Sequence, residues 1–137
     1  MRKFTFLSLL LLSGSALANS LTLTVSDIRN SQGTVRVQVL AGEAAFKDEA
    51  PATAGVIVPA RVPTVTVVIN DLPPGDYAVR VMHDVDGDEQ LSRNLLGLPT
   101  EPWAFSNNAT GTMGPPSWKQ AKFPISENTD HQIRLNH

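Results

Sequence analysis

Hydrophobic and polar residues alternate along most of the chain after residue 20, a period of two that is typical of half-buried β-strands. The segment Leu21–Val25 alternates apolar residues with threonine, and Val35–Val39 alternates valine with arginine and glutamine. Between them, Asn30–Gly33 has the composition of a turn. We interpret the two segments as an antiparallel hairpin with one solvent-exposed face.

Further short strands follow the same pattern. They are predicted at Val56–Val58, Val65–Ile69, Tyr77–Met82, Lys119–Ile125 and His131–Leu135. Pro59 and Pro63 lie beside two of these segments and favour strand ends or sheet edges, because proline cannot donate a ladder hydrogen bond. Residues 41–54 predict a loop or one short helical turn around Phe46. About seven short strands with no long helix predict a single antiparallel β-sandwich, immunoglobulin-like or transthyretin-like, with one long ordered loop.

The segment Asp71–Tyr77 contains two prolines and a glycine directly before a tyrosine that opens a strand. Such a turn is typical of sandwich folds in which the tyrosine ring packs inward and its hydroxyl bonds nearby backbone. We therefore expect Tyr77 to have a structural role.

The first 18 residues have the layout of a secretory signal peptide. A positive start at Arg2 and Lys3 precedes an apolar run, and the segment ends in Ala16-Leu17-Ala18. A membrane anchor is the alternative, but the run is shorter than the roughly 20 apolar residues a span needs. We expect cleavage after Ala18, a mature domain over residues 19–137, and a bacterial periplasmic or secreted location.

Composition narrows the function classes. The 137 residues include 42% hydrophobic and 18% charged residues, which indicates a globular chain, and the formal net charge is −2. The absence of a basic excess argues against nucleic acid as a partner. Because the chain has no cysteine, disulfides, zinc thiolates and thiol nucleophiles are excluded. No second long apolar run follows the leader, so we do not expect the mature protein to be membrane-embedded.

The residues after the predicted Tyr77 strand carry the clearest chemistry. Asp84, Asp86 and Asp88 are spaced by two, as in loops that wrap carboxylate oxygens around calcium. Asn94 or Glu101 are candidates to complete the coordination. The match to an EF-hand loop fails at position six, where Glu89 replaces the turn glycine, and at position twelve, where leucine replaces glutamate. The alternative is a solvated acidic turn with no ion.

Residues 95–117 show little strand pattern but much glycine, proline and asparagine. A connection of this length in a compact domain is usually functional or disordered, and its prolines and aromatic residues favour order. The aromatic residues of this connection either contribute to a binding surface or close the open end of the sandwich. We prefer the second interpretation for Phe105 and Trp118. His83 follows the inward positions of its strand and is expected in the core or at its rim. The candidate ligand-binding residues are His83, Trp103, Phe105, Asn107 and Asn108.

Several motifs together resemble a bacterial family, the domain-of-unknown-function 2141 family. The matching positions are Leu72–Tyr77, His83-Asp84, Asp86, Asp88, Asn94, Gly97, Pro99, Glu101, Phe105–Asn108, Gly111, Gly114–Pro116, Ala121 and Phe123. This chain has Asp86 and Asp88 where the family typically has asparagine, Glu89 where it has glycine, and Ser92 where it has aspartate. The resemblance implies an exported β-sandwich protein and carries no established activity.

Three functions are consistent with these observations. The first is an exported non-enzymatic binding or accessory module with a calcium-binding loop, whose partner is a small molecule, saccharide, lipid or envelope protein. The second is a periplasmic hydrolase that uses His83 and a nearby carboxylate, although no hydrolase motif such as Gly-x-Ser-x-Gly is present. The third is a structural envelope or interaction protein that pairs through strand edges.

Overall fold

The structure, a computed structural model, describes residues 18–90 and 100–137. The predicted leader (except Ala18) and residues 91–99, which include Asn94, lie outside the described residues. In the described part, the chain forms eight strands and three short helical segments. The strands are β1 (Asn19–Ser26), β2 (Thr34–Ala41), β3 (Ala54–Pro59), β4 (Val65–Leu72), β5 (Gly75–Asp84), β6 (Trp103–Phe105), β7 (Phe123–Ile125) and β8 (Thr129–Arg134). The helices are α1 (Gly42–Phe46) and α2 (Trp118–Ala121), and a 3-10 turn covers Ser106–Asn108.

The strands form two sheets, which confirms the predicted all-β sandwich. A three-stranded sheet has the order β4-β1-β8, and a five-stranded sheet has the order β3-β2-β5-β6 with β7 also paired to β5. The pairings are antiparallel except that β1 and β8 run parallel, from Leu21 opposite Thr129 to Ser26 opposite Arg134. No helix among residues 18–90 and 100–137 has the length and apolarity needed to cross a membrane.

The predicted hairpin between the first two strands is wrong. β1 and β2 lie in different sheets, because the connection after Ser26 crosses the sandwich and the Ile28 amide donates to the Pro63 carbonyl at 3.0 Å. Alternation identifies the buried face of each strand, which the structure confirms, but that face does not determine which strand lies beside it. The proline-flanked strands β3 and β4 do lie at sheet edges, as predicted.

Side chains from the inner faces of both sheets form the main core. They include Leu21, Leu23, Val35, Val37, Val39, Val79, Val81, Ile125 and Ile133, all buried. Tyr77 is buried with them, and its hydroxyl donates to the Pro73 carbonyl at 2.5 Å. The predicted structural role of this tyrosine is thereby confirmed.

The predicted strand over Lys119–Ile125 is only half correct. Residues Trp118–Ala121 form helix α2, because Ser117 caps it: the Ser117 hydroxyl accepts from the Gln120 amide and the Gln120 side chain accepts from the Ser117 amide. The strand β7 begins only at Phe123. The short helical turn expected around Phe46 is present as α1.

Candidate functional site

The acidic loop, residues 84–90, begins where β5 ends and curls back on its first carboxylate. Asp84 Oδ1 accepts from the Gly87 amide at 3.1 Å, and Oδ2 accepts from the Glu89 amide at 3.0 Å. Gly87 and Glu89 have φ angles of +75° and +65°, and these left-handed positions turn the backbone amides toward Asp84. The loop is therefore organised around a carboxylate whose residue is only 1% exposed.

The next two aspartates shape the rest of the loop. Asp86 Oδ1 accepts from the Asp88 amide at 3.1 Å, and Asp88 Oδ1 accepts from the Gln90 amide at 2.9 Å. Each bond closes a local turn in which a side chain bonds the backbone two residues ahead. Because the aspartates are two residues apart, the same turn forms twice in succession. Both residues, Asp86 and Asp88, are exposed.

Glu101 reaches the same loop from a distant part of the sequence. The His83 amide donates to the Pro102 carbonyl at 2.9 Å, which extends the β5–β6 pairing to the end of the strand. Glu101 Oε2 then accepts from the Val85 amide at 2.8 Å, and the residue is 7% exposed. Sheet pairing therefore delivers a second buried carboxylate beside Asp84.

Four carboxylates converge at this point. One carboxylate oxygen from each of Asp84, Asp86, Asp88 and Glu101 lies within 4.8 Å of the others. Calcium bonds oxygen at about 2.3–2.6 Å, so two ligands on opposite sides of the ion are about 4.6–5.2 Å apart. The four oxygens are therefore close enough together to surround one ion of this size.

Arg36 partly balances the charge of the cluster. Its Nε donates to Asp84 Oδ2 at 3.3 Å, and its Nη2 lies 3.2 Å from Glu89 Oε1. Burial acts to raise the pKa of Asp84, but the hydrogen bonds from the backbone amides of Glu89 and Gly87 and the charge of Arg36 lower it. Asp84 is therefore ionised at neutral pH, the state a hard cation requires.

A sequence profile of uncharacterized proteins conserved in bacteria (DUF2141) matches residues 23–134 of the chain. The chain belongs to that family. No significant match is found among the curated proteins or the solved structures. In this DUF2141 chain, Glu89 stands where the family resemblance places glycine, and its φ of +65° is the left-handed conformation that glycine adopts without strain. The turn of the acidic loop therefore forms with glutamate at this position.

His83 lies on the inner face of β5 in this DUF2141 domain and is fully buried. Its Nε2 donates to the Gln32 carbonyl at 2.6 Å, and its Nδ1 has no hydrogen-bond partner among the described residues. The expected core position is confirmed. A ring without exposed surface does not present a general acid or base to solvent.

The other predicted ligand-binding residues are not part of the acidic cluster. Trp103 and Phe105 are half-buried on β6 with their ring centroids 5.9 Å apart. The Asn107 side chain donates to the Gln120 and Lys122 carbonyls at 3.1 and 2.9 Å, and Asn108 Oδ1 accepts from the Arg134 amide at 2.9 Å. These asparagines, with φ angles of +60° and +50°, join the 3-10 turn to its neighbours.

A second concave feature was not predicted from sequence. Phe105 and Trp118 lie on the outer face of the five-stranded sheet, where both contact Phe46 from α1. They do not close an end of the sandwich. Arg80 and Asp48 lie at the rim of the cleft that these rings line. The sequence named Phe105 as a candidate ligand-binding residue, but it could not place this ring beside Phe46 and Arg80, which lie far from it along the chain.

Proposed function

We propose that this protein is an exported, non-enzymatic binding or accessory module of a bacterial periplasm or exterior, whose acidic loop binds calcium. The observation that carries the proposal is the convergence of Asp84, Asp86, Asp88 and Glu101 within 4.8 Å. Calcium prefers several carboxylate oxygens in a flexible loop, whereas magnesium usually keeps most of its waters. The ligand set therefore favours calcium over magnesium.

Burial distinguishes this cluster from an ordinary acidic turn. Asp84 and Glu101 are 1% and 7% exposed, and a buried carboxylate is costly unless it is paired or coordinates a cation. Arg36 pairs with both Asp84 and Glu89. A divalent cation held by the four carboxylates would link β5 to the segment before β6.

The export part of the proposal is supported by the leader. Its positive start, apolar run and Ala-x-Ala ending match a signal peptide, and β1 begins at Asn19, directly after the expected cleavage site. The burial of His83 supports a non-enzymatic role, because the residue favoured for acid–base chemistry is not accessible.

The test is a thermal melt of the metal-stripped protein, residues 19–137, with and without calcium. A ligand that binds only the folded state at 100 times its Kd stabilises by about 2.7 kcal/mol, which corresponds to a rise of several degrees in melting temperature. Extracellular calcium modules have Kd values of about 0.1–1 mM, so roughly 10 mM calcium is sufficient. Magnesium at the same concentration is expected to give a smaller rise.

Variants identify the site. Asp88→Asn and Glu101→Gln are each expected to reduce the calcium-induced rise, while Asp130→Asn, an exposed carboxylate on β8, is expected to leave it unchanged. If 10 mM calcium (about 10–100 times the expected Kd) does not shift the melt of the parent protein, the proposed metal function is wrong.

A further inference from the structure

The outer face of the five-stranded sheet carries a cleft separate from the acidic loop. Its floor is a cluster of three aromatic rings, Phe46 of α1, Phe105 of β6 and Trp118 of α2. The centroid of Phe46 lies 5.8 Å from those of both Phe105 and Trp118, with interplanar angles of 64° and 55°. The Phe46–Phe105 pair has the edge-to-face arrangement that aromatic rings favour, and the Phe46–Trp118 pair is tilted.

Residues beneath the rings anchor them to the sheet. Leu40, Ala78 and Ala121 are fully buried against the aromatic cluster. Phe105 and Trp118 remain half-buried, so part of each ring faces the cleft. The cavity volume of about 450 Å³ lies in the range of preformed small-molecule sites, which are concave, mostly apolar and bear a few polar groups.

The polar rim is a set of paired charges. Both Nη atoms of Arg80 donate to the Asp48 carboxylate, at 2.6 and 3.3 Å, and Lys47 Nζ lies 3.1 Å from Glu43 Oε1. Asp48 holds this position with a φ of +59°, and the hydrogen bond from Arg80 lowers the pKa of its carboxyl. Two cations and two anions therefore cancel at the rim.

We infer that this cleft binds a neutral saccharide. A sugar ring has an apolar C–H face that matches an aromatic floor, and a rim of hydroxyls that both donate and accept hydrogen bonds. The paired Arg80 and Asp48 retain unused donors and acceptors in fixed directions, because the guanidinium has five N–H groups and the carboxylate about four lone pairs. A charged ligand gains nothing from a rim whose charges cancel.

A proline-rich peptide is the main competitor, since it also docks on aromatic grooves. Such a segment lacks most backbone donors, and it would leave the rim groups of Arg80, Asp48 and Lys47 without ligand partners. The saccharide uses both the floor and the rim. This inference goes beyond the calcium site and does not depend on it.

The experiment titrates maltohexaose, cellohexaose and chitohexaose into the protein of residues 19–137, and follows the indole NH resonance of Trp118 and the heat of binding. At least one oligosaccharide is expected to shift the Trp118 resonance more than that of Trp103. The titration is repeated with a chelator and with calcium; binding in both conditions separates this site from the acidic loop.

Two variants assign the binding to the cleft. Trp118→Ala removes part of the floor, and Asp48→Asn removes one rim charge at an exposed side chain without cutting into the core. Each is expected to weaken binding at least tenfold, whereas Gln132→Ala, an exposed change on β8 of the other sheet, is expected to change it less than twofold. Asp48→Asn preserves the test if Trp118→Ala fails to fold.

Three outcomes would overturn the inference. The first is no response to any of the three oligosaccharides at about 10 mM, a concentration at which even a millimolar complex forms. The second is binding that neither Trp118→Ala nor Asp48→Asn weakens. The third is a Trp118 shift produced by a proline decamer and by none of the oligosaccharides, which would assign the cleft to a peptide.

Discussion

At the residue scale, Gly33 sets how closely the connection between β1 and β2 approaches the acidic loop. Its φ is +68°, and a Cβ built on its backbone would lie 1.9 Å from the Asp84 carbonyl oxygen. The contact is to backbone, which cannot rotate away as a flexible side chain can. Glycine at this position is therefore required by both conformation and space, and it supports the backbone of the first predicted calcium ligand.

Gly33→Ala tests this contact against a matched control. Gly42 also has a positive φ, of +85°, but a Cβ there would meet no atom within 4 Å. Gly42→Ala is expected to lower the free energy of unfolding by about 1–2 kcal/mol, the cost of a left-handed residue with a Cβ. Gly33→Ala is expected to lower it by roughly 1–3 kcal/mol more, because the neighbouring backbone must move.

The measurement is urea denaturation of both variants, followed by the calcium melt. Gly33→Ala is also expected to diminish the calcium-induced rise in melting temperature, since Asp84 is displaced. Equal losses of stability for the two variants would show that the close approach to Asp84 has no energetic consequence.

The four carboxylates of the acidic cluster could be identified from the sequence, but their arrangement in space could not. Asp84, Asp86 and Asp88 were recognised from their spacing, because a loop of consecutive turns keeps such neighbours together. Glu101 was named only as a candidate by its donor type. Its place beside Asp84 depends on the β5–β6 pairing, which no local pattern of the sequence indicates.

At the scale of elements, Ser106 links three of them. Its hydroxyl accepts from the Val79 amide of β5 at 2.9 Å and donates to the Ala121 carbonyl of α2 at 2.6 Å, and the residue is fully buried. The 3-10 turn, the central strand and the helix that carries Trp118 are therefore joined by one side chain.

Ser106→Ala is expected to lower the free energy of unfolding by about 1–3 kcal/mol, because it leaves a buried N–H and a buried C=O without partners. Ser126→Ala, at an exposed position between β7 and β8, is expected to change it by less than about 0.5 kcal/mol. Urea denaturation at neutral pH measures both. A neutral effect of Ser106→Ala would mean that water replaces the hydroxyl.

The positions of the strands could be predicted better than the pairing between them. A period of two identified most of the strands and their buried faces, because that periodicity follows directly from strand geometry. The sheet to which β2 belongs could not be predicted, because the apolar–polar alternation of β1 is as regular as that of β3 and either strand could have paired with it. The aromatic cleft was missed for the same reason: Phe46, Arg80, Phe105 and Trp118 come from four elements that only the tertiary fold brings together.

At the scale of the whole molecule, stability depends on pH in two separate ranges. His131 stacks on Phe123 with centroids 4.2 Å apart, and its Nε2 accepts from the Asn107 amide at 3.1 Å. Burial lowers the pKa of this imidazole below 6.5. Hydrogen bonds from neighbouring groups lower the pKa values of Asp48 and Asp84 below 3.8, despite the opposing effect of burial. These two carboxylates therefore affect stability in a more acidic range than His131 does.

The sign of the His131 effect follows from linkage. As pH falls below 6.5, the unfolded chain takes up a proton on this imidazole before the folded chain does, so the free energy of unfolding decreases. Stability is therefore full above about pH 6.5 and is lost progressively toward the folded pKa. The carboxylates lose their contribution only as pH falls below 3.8, toward their lowered pKa values in the folded protein.

His131→Phe retains the stacking surface and removes the titration. The variant is expected to show a shallower decrease in the free energy of unfolding between about pH 6.5 and 5 than the parent protein. Gln132→Ala, an exposed change on the same strand, is expected to retain the parent's slope. Urea denaturation across this pH range measures all three proteins, and an unchanged slope in His131→Phe would assign the pH dependence to another group.

Because β1 pairs with β8, the three-stranded sheet is complete only when the last strand of the chain has formed. The Ser20 amide bonds Asn128, 108 residues away, so the first strand obtains its second neighbour only when the last strand exists. Contacts of such separation slow folding, and an unpaired strand edge in the meantime is prone to association. Premature termination before Thr129 is therefore expected to yield an incomplete sheet with an open edge, recognisable to proteases and chaperones, in place of a smaller stable sandwich.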